Sequence, residues 1–213
     1  MFGVFISALL GYLLGSIPFG LLVAQARGID IRKHGSGNIG ATNVLRTLGK
    51  KWGVLVFVLD AIKGLAAVLL AERFFGIDLS PPGVFHLSAA QTGIVAGIAC
   101  ILGHNFPVWL RFKGGKGVAT SAGVILGLVP LAVLAALLIW VAVFYGTRYV
   151  SLASIAAAFA IPVAVGIQLR MNGKPFDSLF WFSIVVAAMA VWRHRPNIQR
   201  LLAGTENRFE RKK

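Results

Sequence analysis

Residues 32 to 46 read Arg32-Lys33-His34-Gly35-Ser36-Gly37-Asn38-Ile39-Gly40-Ala41-Thr42-Asn43-Val44-Leu45-Arg46, a basic, glycine-rich stretch between two apolar ones. Of the nine residues from Gly35 to Asn43, three are glycine and four carry a hydroxyl or an amide. Glycines let backbone N–H groups come close to a ligand. Ser36, Asn38, Thr42 and Asn43 add neutral donors, and Lys33 and Arg46 add charge. The mixture suits phosphate or carboxylate oxygens. A second stretch, from Gly103-His104-Asn105-Phe106 to Lys113-Gly114-Gly115-Lys116-Gly117, has the same character. Together with His194-Arg195-Pro196-Asn197 near the C-terminus, these loops are expected to make one anion-binding site at a membrane surface.

The elements that must position them are apolar. The chain has 213 residues, 57% of them hydrophobic and 13% charged, where a soluble domain carries about 25% charged residues. Long apolar runs imply an all-α polytopic integral membrane protein, read as a single membrane-embedded domain over residues 1–213. The net charge is +14. Nucleic acid is the usual partner for such a charge, but the apolar content excludes it. Cytoplasmic positive charge facing anionic lipid accounts for most of the excess, though not for the glycines and amides among the charges. The single cysteine, Cys100, sits in an apolar run and reads as a small core filler. No His, Cys and carboxylate pattern has metal-ligand spacing, so neither metal nor cofactor is expected. With no basic region before it, the first apolar run reads as a retained span.

In chain order, Phe2 to Ala24 is long enough to span, with Ser16 and Pro18 inside it. The first loop follows from about Gln25 to Trp52, with a helical turn expected over Val44 to Leu48 capped by Thr42 or Asn43. Gly53 to Ala71 spans again. It holds Asp60 and Lys63 on one helix face, either as a self-satisfying ion pair or as a support for the first loop. Glu72 to Ser88, with Pro81-Pro82, reads as an outer connection. Ala89 to Leu102 crosses back, and the second loop starts at Gly103, its Phe106, Trp109 and Phe112 suited to the interface. Val118 to Tyr145 is about 28 apolar residues with Pro130 near the middle, where one span needs about 20. A single crossing would put the basic tail outside, so two short helices broken near Gly127–Pro130 are expected. Ala153 to Gln168 and Ser178 to Val191 complete about seven helical segments, with the N-terminus outside and the C-terminus cytoplasmic. This topology places 17 of the 21 Lys and Arg residues inside.

Several motifs fail on inspection. Gly35-Ser36-Gly37-Asn38-Ile39-Gly40 matches the dinucleotide fingerprint literally, but no strand precedes it. Gly114-Gly115-Lys116-Gly117 lacks the Ser or Thr of a P-loop. Trp109 stands where a His-x4-Asp acyltransferase box would place its acid after His104, and there is no G-x-S-x-G elbow.

Taken together, Ser36 to Arg46 with Asp60-Ala61-Ile62-Lys63-Gly64 resembles the first motif of the PlsY family, the bacterial acyl-phosphate:glycerol-3-phosphate acyltransferases. Gly103 to Phe106 with Phe112 to Thr120 is similar to its second motif. Tyr149 to Ser154 resembles its third, and Arg193 to Leu202 its C-terminal signature. The resemblance covers essentially the whole chain. It implies a seven-helix enzyme of the bacterial inner membrane, a monomer, with its active site on the cytoplasmic side. Such an enzyme moves a fatty acyl group from acyl phosphate to the 1-hydroxyl of sn-glycerol 3-phosphate. The products are lysophosphatidic acid and phosphate, in the first step of phospholipid synthesis, and neither acyl-CoA nor acyl carrier protein is the donor.

Two dianions must meet in that reaction, so cations and donors are needed. Arg46, Lys113 and Lys116 are expected to supply the charge. Ser36, Gly37, Asn38, Gly40, Thr42, Asn43, Gly114 and Gly115 are expected to supply the other contacts. Acyl phosphate is already activated, so orientation and oxyanion stabilisation suffice. Ser36 is open to two roles, nucleophile or phosphate donor. His104 and His194 are each open as general base or as structural hydrogen-bonding groups. The resemblance instead suggests that a donor phosphate oxygen takes the proton, and it carries Ser151 and Asn197 over as substrate-pocket residues. A transporter of organic phosphates would place charge near the midplane and show an internal repeat, whereas no convincing repeat is found and the donor-rich stretches sit in loops at one face. A lipid-binding scaffold would not need three donor-rich loops.

Overall fold

The computed structural model describes residues 2–76 and 87–210, all helix and loop. The expected connection around Pro81-Pro82 lies outside the described residues, as do Arg211, Lys212 and Lys213. Two compact units are formed, Met1–Leu128 and Val129–Lys213.

In the first unit, α1 (Phe2–Ser16) and α2 (Phe19–Gln25) divide the first apolar run. The expected single helix breaks at Ile17-Pro18 because proline has no N–H to donate. The Leu21 and Leu22 N–H groups instead restart the ladder on the Pro18 carbonyl. Then come α3 (Ala41–Leu48), α4 (Lys50–Phe75), α5 (Ala89–Asn105) and α6 (Val118–Leu128). α4 is longer than expected because its charged ends stay helical. α5 opens with a Ser88–Gln91 capping box. It runs two residues past Gly103, so His104 and Asn105 are helical and not loop residues. Pro107 bars a further turn. α4 and α5 pack against each other, and each packs against α1 and α6. The approach is close: a Cβ on Gly15 would strike the Cys100 carbonyl, and one on Gly64 the Thr120 carbonyl.

In the second unit, α7 (Pro130–Thr147) follows a break at Val129, inside the expected interval, with Pro130 in its first turn. Its 18 residues are long enough to cross, so only the half before the break is short. α8 (Val150–Met171) packs on α7 and on α9 (Ser178–Arg193). α9 is capped by Asp177, whose carboxylate accepts from the Leu179 and Phe180 N–H groups. α10 (Arg195–Leu202) follows directly. Five helical stretches are long and apolar enough to cross a membrane: Phe2–Gln25, Lys50–Phe75, Ala89–Leu110, Pro130–Thr147 and Val150–Met171. Val118–Leu128 and Ser178–Arg193 are shorter apolar helices, giving seven apolar segments among the described residues.

Candidate functional site

The first loop folds around one side chain. Asn43 lies in the first turn of α3, 2% exposed. Its Oδ1 accepts from the Ser36 N–H at 3.0 Å, and its Nδ2 donates to the carbonyls of Asn38 at 2.9 Å, His34 at 3.0 Å and Ile31 at 3.3 Å. Asn38 in turn accepts from the Gly40 N–H at 2.8 Å. Gly35 and Gly37 sit at φ +57° and +68°, and a Cβ on Gly35 would overlap the Asn43 Oδ1. A small core of Leu21, Ala24, Ile31, Ile39, Val44 and Val56 lies beneath. At roughly 1.5–3 kcal/mol per large buried aliphatic, this core outweighs the roughly 0.5–1.5 kcal/mol net of each loop hydrogen bond. The core fixes where the loop sits, and Asn43 fixes its shape.

Three expectations are corrected here. The cap of α3 is Gly40 and not Thr42 or Asn43. Asn43 is a loop organiser whose amide is engaged by the protein, not a free donor for a ligand. The glycines also do not offer their amides as expected. The Gly37 N–H donates to His34 O, Gly40 to Asn38 Oδ1, Gly114 to Asn105 O and Gly115 to His104 O. What the fold presents instead is side chains. Ser36, Arg46 and Lys113 are exposed, and Asn38, Thr42 and Lys116 half-buried.

The second loop joins the first through Leu110, which packs against that same core. Arg111 and Phe112 both adopt left-handed backbone, φ 50° and 62°, a strained pair for residues with side chains. They reverse the chain so that Lys113, Gly114, Gly115 and Lys116 return alongside the end of α5. A Cβ on Gly115 would overlap the His104 Nε2. Gly115→Ala is therefore expected to lower the thermal midpoint of the purified protein by several degrees, the effect of overpacking by about 1–3 kcal/mol. Gly146→Ala, a helical position with open space around it, is expected to leave it unchanged. Equal midpoints for the two would refute the contact.

Beneath the second loop lies a buried ionic cluster. Lys63 and Asp60 are each 2% exposed and His104 5%. The Lys63 ammonium pairs with Asp60 Oδ1 at 2.7 Å and donates to the Ile17 carbonyl at 2.9 Å. It lies 3.0 Å from His104 Nδ1, and that nitrogen is 3.6 Å from Asp60 Oδ1. The pair thus supports the second loop through His104, where a bond to the first loop was one expectation. The other, a pair satisfied by itself, is incomplete because Lys63 has three partners.

In the second unit, Ser151 on α8 and Asn197 on α10 meet at Glu206. Oε1 accepts from the Ser151 hydroxyl at 2.8 Å and from Asn197 Nδ2 at 2.7 Å, while Oε2 accepts from Arg200 Nε at 2.7 Å. Burial pushes the Glu206 carboxyl up, but the Asn197, Ser151 and Arg200 donors bring it below the ordinary glutamate value. Sequence reasoning missed Glu206. The available signal was an acid, one of seven in the chain, standing within a predominantly basic tail. His194, 2% exposed, joins α9 to α10, and its Nδ1 lies 2.7 Å from the Ala190 carbonyl, to which it donates. The Nε2 of the neutral ring then carries the lone pair.

The chain is similar to known proteins over almost its whole length. The family model described as glycerol-3-phosphate acyltransferase matches residues 5–204. The glycerol-3-phosphate acyltransferase of Geotalea daltonii is 51% identical over 201 residues, 94% of this chain and 94% of that protein. That of Aquifex aeolicus is 47% identical over 198 residues, 93% of this chain and 95% of the other. Among solved structures, the glycerol 3-phosphate form of PlsY (YgiH), an integral membrane glycerol 3-phosphate acyltransferase, is 45% identical with a TM-score of 0.82. It covers 97% of this chain and 96% of its own. The lysophosphatidic acid form of the same protein is 44% identical, with a TM-score of 0.80, and covers 97% and 95%.

Proposed function

The chain belongs to the glycerol-3-phosphate acyltransferase family, and from that premise we propose that it acylates the 1-hydroxyl of sn-glycerol 3-phosphate with acyl phosphate as donor, releasing lysophosphatidic acid and phosphate. The observation that carries the reading is the pair of related structures, one described as a glycerol 3-phosphate form and one as a lysophosphatidic acid form. These are a substrate and a product of the transfer. The donor assignment rests on chemistry. There is no His-x4-Asp box to raise the nucleophilicity of the hydroxyl, so an already activated mixed anhydride suits the chain.

In the reaction the hydroxyl oxygen attacks the acyl carbonyl carbon. The bond from that carbon to the phosphate oxygen breaks, and the hydroxyl proton passes to the departing phosphate. Arg46, Lys113 and Lys116 neutralise the phosphates, and Ser36 serves as a donor to them. Gly37, Asn38, Gly40, Thr42, Gly114 and Gly115 shape the substrate contacts, with Asn43 holding the loop. Ser151 and Asn197 bind substrate, and His194, with its Nε2 lone pair, is the catalytic histidine. Residues 1–213 act as one acyltransferase domain, in keeping with relatives matched over nearly their full length. The enzyme works as a monomer in the bacterial inner membrane, at its cytoplasmic face and at the entry to phospholipid synthesis. That orientation is supported by the distribution of Lys and Arg.

Purified protein given acyl phosphate and labelled glycerol 3-phosphate, without CoA, carrier protein, ATP or metal, is expected to form lysophosphatidate. Product only with acyl-CoA or acyl carrier protein would replace the donor assignment. Vesicle uptake without product would point to a transporter.

A further inference from the structure

We propose that Lys63, with Asp60 as its counter-ion, is a positioning residue that holds His104 as the neutral tautomer protonated on Nε2, so that His104 acts as a fixed donor beneath the Gly114–Lys116 turn and not as a base. The inference concerns the same site as the proposed acyl transfer and rests on that reading for its catalytic meaning.

Three distances carry it. An ammonium has three N–H bonds and no lone pair. Lys63 directs two of them at Ile17 O at 2.9 Å and His104 Nδ1 at 3.0 Å, and its charge pairs with Asp60 Oδ1 at 2.7 Å. A contact of that length with an ammonium requires Nδ1 to be the acceptor, since a proton there would face the ammonium protons. A neutral imidazole with its Nδ1 lone pair engaged carries its proton on Nε2. That Nε2 lies against Gly115, at the position a side-chain Cβ would fill. Cys100 Sγ, the other polar group near the pair, contacts the Lys63 carbonyl at 3.6 Å and leaves the ammonium to its three partners. Asp60, 3.6 Å from Nδ1, neutralises the lysine in place of the ring. An ammonium beside the imidazole also opposes a second positive charge on it.

The test is spectroscopic and needs no turnover. In protein labelled with 15N-histidine, ring nitrogen–proton correlations at neutral pH are expected to show His104 protonated on Nε2 alone. Its signals are identified by their loss in His104→Gln. A wild-type His104 protonated on Nδ1, or on both nitrogens, overturns the proposal. Lys63→Met alone strands a buried carboxylate, so Asp60→Asn/Lys63→Met is the informative variant. It is expected to lose the single-tautomer signature, and acyl transfer is expected to fall about 10- to 100-fold, by analogy with removal of the partner that orients a metal-bound histidine. An unchanged tautomer in the folded double variant also overturns it. If the protein makes no lysophosphatidate from acyl phosphate yet His104 shows the Nε2 proton, the donor assignment fails and the positioning role stands.

Discussion

Arg46→Ala is expected to abolish most acyl transfer while leaving the protein folded. Arg46 is exposed on α3, and the helix is anchored by Val44 on its opposite, buried side. Removing the guanidinium therefore leaves the Leu21–Val56 core and the Asn43 hydrogen bonds intact. The loss falls on the chemistry. Two phosphate dianions repel each other, and a preorganised cation facing them stabilises the charge that moves onto the leaving phosphate. Deleting one such electrostatic donor costs about 10²- to 10³-fold in kcat. Arg46→Lys keeps the charge but loses the planar fork that matches phosphate, so it is expected to recover only part. Lys116→Ala, on the second loop, is expected to behave like Arg46→Ala, and Lys50→Ala, at the start of α4, to retain wild-type turnover. The measurement is initial rate against each substrate in detergent, with the thermal midpoint as the folding control. Wild-type rates in both Arg46→Ala and Lys116→Ala would remove the assignment.

The second large effect is on stability. Glu206→Ala is expected to destabilise the protein by about 3 kcal/mol, because one buried carboxylate serves three donors. Glu206→Gln keeps an acceptor for Ser151 or Asn197 but gives up the charge opposite Arg200, and it should fall between. The pH dependence follows from the lowered carboxyl. A group less readily protonated when folded contributes its full stability above the unfolded glutamate value, and loses it as pH falls through the lower folded value. The midpoint difference between wild type and Glu206→Gln should accordingly be full at neutral pH and shrink in acid. A difference that grows on acidification would contradict the geometry.

How much was legible in the sequence depended on the range of the interactions. Features fixed by local chemistry could be read directly. Pro130 breaks the long apolar run at Val129, and α9 starts at Ser178, where the last apolar run is expected to begin. Asp60 and Lys63 share a face because they are three apart. The glycines of both loops were legible as special but were assigned the wrong reason. They were expected to bare their amides, whereas Gly115 is there because the His104 ring fills its side-chain space. Asn43 was counted among ligand donors because composition cannot tell a donor aimed outward from one aimed at its own loop. Glu206 was out of reach altogether. Its partner Ser151 is 55 residues earlier, and no periodicity spans that gap. The fold class followed from bulk composition, while the partner of each polar side chain required the packing.

The interruption at Ile17-Pro18 also bears on how the chain enters a bilayer. Lys63 must cross an apolar medium as a cation, which is costly unless compensated. Asp60 travels on the same helix, one turn away, and compensates it at once. The Ile17 carbonyl, which accepts from the Phe19 N–H while Leu21 turns to Pro18, belongs to a segment synthesised 46 residues earlier. It is therefore already in place when α4 arrives. Only the imidazole, 41 residues later, must be awaited. Synthesis thus delivers the partners of this cation in the sequence carbonyl, carboxylate, ring. Pro18→Ala is expected to let α1 run into α2 and to withdraw the earliest of them.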